Sequence, residues 1–291
     1  MPGAAVFLNE AAGSAGTERV RRMVELARAA LDADLHVTAT RDPAEMAAWL
    51  GAHVDGYATA VIVGGDGSLA SACNVAARRD GLTIGYLPAG FGNAAAHLLR
   101  LPSDPEGIVD VLARGEARPV DLVDVGDRLA LFAGAGWDAR VAGRYADAGA
   151  RGLAGWATAI ARSVPDLLRL EGVEVSADGV LVHRGSLGML VVSTTPFYGR
   201  GLRVNPGARP DAGRLSLRVY PGPAPRLALE AARWAAGVTP RARRVDARRV
   251  ELRGLGEGEI PVQADGDLVG TSSAWSFAIR PAAVHLIGRW S

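Results

Sequence analysis

A glycine-rich loop with one aspartate is the clearest candidate for chemistry in this chain. The apolar run Val61–Val63 leads into Gly64–Ser68, in the order Gly-Gly-Asp-Gly-Ser, and a helical pattern begins at Leu69. Glycines let a phosphate approach the backbone closely, and a helix start offers unpaired N–H groups with partial positive charge. Because a carboxylate repels bare phosphate, we expect Asp66 to bind a metal or to act as a base beside an attacking hydroxyl.

A second loop of the same kind follows the next strand. Pro88–Asn93 reads Pro-Ala-Gly-Phe-Gly-Asn and lies between the apolar run Leu82–Leu87 and a helical pattern. Open α/β sheets bind ligands at the carboxyl ends of their parallel strands. The two loops therefore predict a nucleotide site, although tight turns that need glycine remain the structural alternative.

Other reactive residues give weaker signals. The five histidines lack HxxxH or HExxH spacing, which argues against zinc catalysis, and no serine lies in a GxSxG elbow. Cys73 is interpreted as a buried thiol, and a single cysteine excludes a disulfide framework. All 32 basic Lys+Arg residues are arginine, so a lysine-containing phosphate loop is excluded.

The first part of the chain alternates apolar runs with helical patterns. This alternation predicts a parallel sheet covered by helices over residues 1–120. The expected strands are Ala4–Leu8, Leu35–Thr40, Ala58–Val63 and Leu82–Leu87, and the expected helices are Thr17–Leu31, Asp42–Leu50, Leu69–Arg78 and one starting at Asn93–Leu99.

Short strands dominate from Val120 onward, and Asp178-Gly179 is a hairpin signal. We therefore predict an α/β domain over 1–120 and an antiparallel β-sandwich over 121–280, with a cleft between them and with 281–291 able to return to the first domain. Only Leu153–Leu170 and Leu227–Ala236 are predicted to be helical in the second part. The expected strands are Val120–Val125, Leu129–Ala133, Val173–Ser176, Val180–His183, Leu187–Ser193, Leu215–Tyr220, Val245–Leu252, Ile260–Ala264, Ser276–Ile279 and Val284–Ile287.

Composition limits the class of protein. Hydrophobic residues make up 49% of the 291 residues and charged residues 22%, which is typical of a globular protein with a full core. A formal net charge of +1 gives no reason to expect a nucleic-acid partner. Without an apolar run of about 18 residues or a basic, apolar N-terminus, we expect a cytoplasmic protein.

Six segments, in order, resemble motifs of the diacylglycerol kinase catalytic-domain superfamily, which includes sphingosine kinases, ceramide kinases and bacterial soluble lipid kinases. The family motifs are NPxSG, GGDGT, PLGTGN, GxGxDA, YxGGG…PxAxxDDG and DGE. The corresponding segments are Asn9–Gly13, Gly64–Ser68, Pro88–Asn93, Gly134–Ala139, Tyr198–Gly201 with Pro206–Gly213, and Asp265–Asp267.

The resemblance implies a kinase that uses ATP and Mg²⁺ and transfers the γ-phosphate to a lipid hydroxyl. By motif position, Asp267 replaces a glutamate assigned as proton acceptor, and Asp66 is a rival base. Asp211 is the implied metal ligand. The implied ATP-binding residues are Asn9, Thr40, Gly64, Gly65, Asp66, Gly67, Ser68, Gly90, Phe91, Gly92 and Asn93.

Several positions depart from the family pattern. Ala70-Ser71 stands where Asn-Glu is usual, Ala94 replaces an aspartate, and His97 replaces an arginine. The metal region reads Asp211-Ala212-Gly213 and so lacks one carboxylate. These losses put the structural magnesium site and ordinary turnover in question.

The segment 153–170 is amphipathic. Leu153, Trp156, Ile160 and Val164 fall near one face of the predicted helix, with arginines elsewhere. Such a helix can lie in the headgroup layer of a membrane or pack on the sandwich, and both interpretations stay open. The first would place the protein at the inner membrane face, where it would meet its lipid.

The function predicted from the sequence is therefore an ATP-dependent lipid kinase with a diacylglycerol-like or sphingoid-like substrate. An NAD kinase is the first alternative, but that family's Thr-Gly-Ser-Thr-Ala-Tyr segment is absent. A nucleotide- or lipid-binding protein that has lost catalysis is the second alternative.

Overall fold

Parallel strands and helices alternate in the first part of the chain, as the apolar periodicity predicts. The computed structural model describes residues 3–148, 152–168, 170–222 and 224–290. The chain divides into two units: the first comprises Met1–Val120, Gly199–Gly201 and Ala282–Ser291, and the second comprises Asp121–Tyr198 and Leu202–Pro281. The cleft expected between two domains stays a prediction.

The first unit is a parallel sheet with helical connections. Its elements are β1 (Ala4–Asn9), α1 (Glu18–Leu31), β2 (Asp34–Thr38), α2 (Pro43–His53), β3 (Thr59–Gly64), α3 (Asp66–Ala76), β4 (Thr83–Pro88), α4 (Ala94–Leu98) and α5 (Pro105–Ala113). The strands lie in the order β2-β1-β3-β4, and each pairs in parallel with its neighbour.

The described part of the second unit is mostly antiparallel. Its elements are β5 (Ala117–Val125), which begins in the first unit, β6 (Arg128–Ala130), β7 (Phe132–Gly136), α6 (Trp137–Ala146), α7 (Gly152–Ser163), β8 (Glu171–Ala177), β9 (Val180–Ser193), β10 (Leu215–Pro221), α8 (Ala224–Ala235), β11 (Arg244–Ala247), β12 (Arg249–Gly254), β13 (Ile260–Ala264), β14 (Asp267–Ser272) and β15 (Ala274–Ile287). Neighbouring strands follow the order β14-β13-β7-β9-β8-β12-β15. The predicted fold class, parallel α/β followed by antiparallel β, is confirmed.

Each unit has its own hydrophobic core. In the first, the helices α1 and α5 bury apolar side chains such as Met23 and Ile108 against Val61 and Leu87 of the sheet. In the second, residues of β7, β8, β9, β12 and β13 form a separate cluster that includes Phe277. The sheet in each unit therefore gives its loops a rigid base.

The helices of the second unit differ from the predicted ones. The prediction of only two helices there is wrong, because Trp137–Ala146 also forms one, with Ala139, Val141 and Ala142 buried. The predicted helix Leu153–Leu170 is shorter: α7 ends at Ser163 and a 3₁₀ turn covers Val164–Leu168. Pro165 explains the change, because proline has no N–H to donate within an α-helix.

Two pairs of predicted strands are continuous. Val180–His183 and Leu187–Ser193 are parts of β9, and Ser276–Ile279 and Val284–Ile287 are parts of β15. The end of β15 lies in the first unit, where His285 pairs in parallel with Thr83 of β4.

The helix α5 was not predicted from the sequence. Its start nevertheless carries a local signal, because Asp104 caps it before Pro105, as Asp42 caps α2 before Pro43.

The Asp178-Gly179 hairpin is confirmed. Ala177 of β8 pairs with Val180 of β9, and both turn residues have positive φ, 48° and 81°, as a type I′ turn requires. The Asp178 carboxylate also accepts hydrogen bonds from the N–H groups of Arg248 and Arg249, at 2.9 and 2.8 Å. One side chain thus joins the turn to the start of β12.

We expect Asp178→Ala to lower the free energy of unfolding by about 1–2 kcal/mol, because alanine disfavours the left-handed conformation and two exposed hydrogen bonds are lost. Asp178→Asn is the control, since asparagine tolerates this conformation and keeps one oxygen. Urea titration measures both. Equal stability of the alanine variant and the parent protein would contradict this view of the turn.

Candidate functional site

The two glycine loops are neighbours because their strands are neighbours. Gly64, the last residue of β3, pairs with Pro88, the last residue of β4, and the N–H of Ala89 donates to the Gly64 carbonyl at 2.8 Å. Helix α3 begins within the first loop, at Asp66, and α4 begins directly after the second loop, at Ala94. The predicted juxtaposition of Gly64–Ser68 with Pro88–Asn93 is therefore present within the first unit.

Close contact between the backbones explains two of the glycines. A Cβ atom on Gly65 would lie 3.2 Å from the Cα of Gly90, and a Cβ atom on Gly90 would collide with the Cα of Gly65. A side chain at Gly65 would therefore point toward the second loop. Gly90 is therefore required for the loop packing, and a side chain at Gly65 would crowd it, which are reasons independent of any phosphate.

Asp66 connects the two loops. Its Oδ1 atom accepts a hydrogen bond from the N–H of Ala95 in α4 at 3.2 Å. Burial raises the pKa of the Asp66 carboxyl, while the N–H groups of residues 93–95 and the nearby His97 oppose that rise. A raised pKa gives the carboxylate a higher proton affinity, which is the property that a general base needs.

Asn9 joins the ends of three segments. Its Nδ2 atom donates to the Ser68 hydroxyl at 3.2 Å and to the Thr40 carbonyl at 2.9 Å. The Thr40 hydroxyl donates to Glu45 at 2.6 Å and accepts from the N–H of Asp42, so it also fixes the start of α2. The structure thus brings together Asn9, Thr40 and Ser68, which were predicted to bind ATP.

Asn93 holds the second loop closed. Its Oδ1 atom accepts from the Tyr86 hydroxyl and from the N–H of Gly90, both at 3.0 Å, and its Nδ2 atom donates to the Gly90 carbonyl at 2.8 Å. Phe91 and Gly92 lie inside this closed loop and are partly exposed. Asn93 therefore shapes the loop with its side chain, whatever contact it makes with a ligand.

His97 lies near both Asp66 and the segment after Tyr198. A Cβ atom on Gly201 would be 2.6 Å from the His97 Nε2 atom, so the imidazole rests directly against the backbone of that segment. The sequence predicts no catalytic role for His97. Its position, where the family has an arginine, places a titratable group beside the loop.

Asp267, the other predicted base, begins β14 in the second unit. Its side chain is 44% exposed, and the Arg128 guanidinium lies 3.9 Å away. Desolvation raises the pKa of Asp267, and Arg128 opposes that rise. The position of Asp267 relative to Asp66 stays a prediction.

Asp211, the predicted metal ligand, contacts a guanidinium in this structure. Arg209 donates to both Asp211 carboxylate oxygens, at 3.1 and 3.2 Å, so a guanidinium pairs with the predicted metal ligand. Asp121 accepts from the N–H of Gly213 at 2.6 Å and fixes the same loop. Within the described ranges, no group of three or more His, Cys, Asp or Glu side chains is arranged to hold a metal ion.

Asp138, Tyr198 and Gln263 form a buried polar cluster in the second unit, for which the sequence predicted no role. Tyr198 donates to Asp138 Oδ2, and Gln263 Nε2 donates to the same oxygen at 3.1 Å. Burial raises the pKa of Asp138 to about 6, and these two donors oppose the rise. Gly134 makes room for the cluster, since a Cβ atom there would be 2.8 Å from Gln263 Nε2 and would collide with the carboxylate.

Two family models together span nearly all of the chain. The diacylglycerol kinase catalytic domain matches residues 3–125. The YegS C-terminal NAD kinase beta sandwich-like domain matches residues 132–288. The chain belongs to the diacylglycerol kinase catalytic-domain superfamily. The first match contains both glycine loops, and the second contains the Asp138 cluster and Asp267.

Solved structures share the fold of this superfamily member. A protein from Bacillus anthracis str. Sterne, described as a candidate diacylglycerol kinase, is 16% identical, with a TM-score of 0.77 over 99% of this chain and 98% of that chain. Another from the same organism, described as a diacylglycerol kinase, is 15% identical, with a TM-score of 0.74 over 99% and 97%. An NAD kinase from Archaeoglobus fulgidus in complex with ATP is 16% identical, with a TM-score of 0.55 over 99% and 93%.

At these identities the structural similarities establish the fold alone. A comparison with the curated proteins gives no significant match. Among the described residues, no helix is both long and apolar enough to cross a membrane.

We expect Gly90→Ala to lower the free energy of unfolding by about 1–3 kcal/mol, because the added methyl group forces the two loops apart. Gly13→Ala is the matched control, since nothing lies within 4 Å of its added Cβ. Urea titration of both variants measures the difference. If Gly90→Ala were as stable as Gly13→Ala, the loops would not be in close contact.

The raised pKa of Asp138 predicts a pH-dependent stability. Between its ordinary value of 3.8 and about 6, the folded protein binds more protons here than the unfolded chain does. The contribution of Asp138 to the free energy of unfolding therefore increases as pH falls through this window, by up to about 1.4 kcal/mol per pH unit.

Asp138→Asn removes this contribution. The stability of the variant relative to the parent protein should therefore be highest above pH 6.5 and should decrease toward pH 4. Urea titrations across this range measure it, and Asp147→Asn, at the exposed residue that follows the same helix, is the control. A constant difference between Asp138→Asn and the parent protein would show that Asp138 does not titrate in this window.

Proposed function

We propose that this protein is an ATP-dependent lipid kinase that transfers the γ-phosphate of ATP to a lipid hydroxyl. The observation that carries the proposal is the position of Asp66, a carboxylate of raised pKa at the start of α3 between two packed glycine loops. Superfamily membership supports kinase chemistry, and the ATP in the Archaeoglobus NAD kinase supports the nucleotide.

In this proposal, the loops hold the phosphates. The helix α3 has 11 residues, and the free N–H groups of its first turn would bind phosphate oxygens together with its partial positive charge. The remaining residues proposed to contact ATP are Asn9, Thr40, Gly64, Gly65, Gly67, Ser68, Gly90, Phe91, Gly92 and Asn93. Mg²⁺ would arrive with ATP as part of the substrate, where it neutralises phosphate charge.

The two aspartates would divide the proton chemistry. Asp66 would accept the proton of the lipid hydroxyl as that oxygen attacks the γ-phosphorus and the bond to the β-phosphate oxygen breaks. Asp267 would assist as its partner. Aspartate is one methylene shorter than the glutamate of the family pattern, and a misplacement of about 1 Å can cost on the order of 100-fold in rate. For this reason we favour Asp66 as the base.

We also propose that the region of α7 contacts the lipid surface, through Ile160 and Val164 more than through Trp156. The Trp156 ring stacks on Tyr145 with centroids 4.7 Å apart, so it has a partner within the unit. Ile160 and Val164 are 43% and 52% exposed. The side chains of Leu153, Leu167 and Leu168, and residues Arg151 and Arg169, lie outside the described part of the chain.

The function is tested with labelled ATP and a panel of vesicles that contain diacylglycerol, phosphatidylglycerol, a sphingoid base or a prenol. We expect one phosphorylated lipid. Asp66→Asn keeps an oxygen for the Ala95 N–H but removes the basicity, so transfer should fall at least 100-fold at saturating ATP, while Asp80→Asn, an exposed control in the same unit, should retain full activity.

The other outcomes identify the alternatives. Formation of NADP from NAD and ATP would show an NAD kinase, and ATP binding without turnover would show a protein that has lost catalysis. If Asp267→Ala were inactive while Asp66→Asn kept most activity, the two roles would be reversed. An increased rate in Asp267→Glu would show that the shorter side chain limits the parent enzyme.

The membrane contact is tested with vesicles of anionic lipid. Replacing Ile160 and Val164 together by serine should weaken vesicle binding about 10-fold or more and leave ATP affinity unchanged, because two exposed apolar side chains are lost from the contact. Serine at Val180 and Leu181 is the control, since these side chains are also exposed, at 66% and 55%, but lie on the β8–β9 hairpin. Equal sedimentation of the α7 variant and the parent protein would remove this helix from the interface.

A further inference from the structure

Gln263 connects a buried carboxylate to the turn that precedes Asp267. Its Nε2 atom donates to Asp138 Oδ2 at 3.1 Å, and its Oε1 atom accepts from the N–H of Gly266 at 2.8 Å. The residue is 1% exposed. Since both ends of the side-chain amide are used, a shift of the Asp138 carboxylate must also disturb the Gly266 hydrogen bond.

The turn is also fixed from its other side. Asp265 and Gly266 have φ values of 49° and 94°, and the Asp265 carboxylate accepts from the N–H groups of Leu131 and Phe132 at 3.1 Å. Asp267 follows at once and pairs with Ala264 across the hairpin. Two separate hydrogen-bonded contacts therefore determine where the backbone of Asp267 lies.

Tyr198 forms the third side of the cluster. It accepts a hydrogen bond from Gln263 Nε2 and donates one to Asp138. The centroid of its ring lies 4.2 Å from the centroid of the Phe132 ring. Phe132 is itself bound through its N–H to Asp265. The cluster and the turn thus form one closed set of contacts within the second unit.

The charge of Asp138 is not balanced by the groups that contact it. Tyr198 and Gln263 are neutral donors, and Asp138 Oδ1 is buried without a hydrogen-bond partner among the described residues. The arginines of the same helix are paired elsewhere, Arg140 with Glu171 and Arg144 with Asp166. A buried charge without a cation costs stability, whereas a connected polar network fixes one geometry.

We propose that Asp138, Gln263 and Tyr198 are positioning residues that fix the Asp265–Asp267 turn and thereby hold Asp267 in place for phosphoryl transfer. The role in transfer rests on the proposed kinase function. The fixing of the turn does not, so the two parts can fail separately.

Hydrogen exchange tests the fixing of the turn without any substrate. Gln263→Met keeps the length of the side chain but removes both of its polar groups. We expect the Gly266 N–H to exchange at least 10-fold faster in this variant, while the Asp178 N–H, which donates to the Arg249 carbonyl in the distant β8–β9 hairpin, keeps its protection as an internal control. Unchanged protection of Gly266 would overturn the proposal.

Tyr198→Phe is the second variant and is chosen to preserve the fold, because it keeps the ring against Phe132 and removes only the hydroxyl. It should accelerate exchange of the Gly266 N–H about threefold or more. If Gln263→Met did not fold, this variant would decide, and unchanged exchange in it would overturn the proposal.

Kinetics test the role in transfer, on the lipid that the panel identifies. Gln263→Met should lower kcat by about 10–100-fold and leave the KM for ATP within twofold. In combination with Asp267→Ala it should cause no further loss, because a positioning residue acts through the residue that it positions. Independent losses that multiply in the double variant would overturn this role.

If the parent protein phosphorylated no lipid in the panel, the kinase proposal would fail, while the exchange experiment would still decide whether the cluster fixes the turn.

Discussion

The candidate site depends on the close approach of two backbone loops. Gly65 and Gly90 are in contact because neither has a side chain, and the pairing of β3 with β4 brings their loops to the same edge of the sheet. Asp66 then spans the gap to the N–H of Ala95. A side chain at Gly90 would force the loops apart and move the carboxylate, and a side chain at Gly65 would crowd the same contact.

The second unit uses the same principle with side chains in place of backbone. Gly134 leaves space for the Asp138 carboxylate, and Gln263 transmits its position to the turn before Asp267. In both units a glycine without a Cβ atom allows an acidic side chain to contact a second element. The cost is desolvation, which raises the pKa of Asp66 and of Asp138.

Sequence patterns among neighbouring residues predicted much of this architecture. They could not predict contacts between residues that are far apart in the chain. Strand, glycine and helix in succession located both loops, and Asp178-Gly179 located a hairpin, because each depends on neighbouring residues. The contacts of Asp138 join residues 60 and 125 positions away, so no local signal could show them. In the same way, the sequence does not show that Gly65 must be small because it packs against Gly90. Nor does it show that the Arg209 guanidinium binds the Asp211 carboxylate.

A crystal structure with Mg²⁺ and a non-hydrolysable ATP analogue would show where the phosphates bind. We expect the β- and γ-phosphates to contact the N–H groups at the start of α3, with the γ-phosphate beside the Asp66 carboxylate. Phosphates bound away from both glycine loops, in crystals saturated with the analogue, would contradict this expectation.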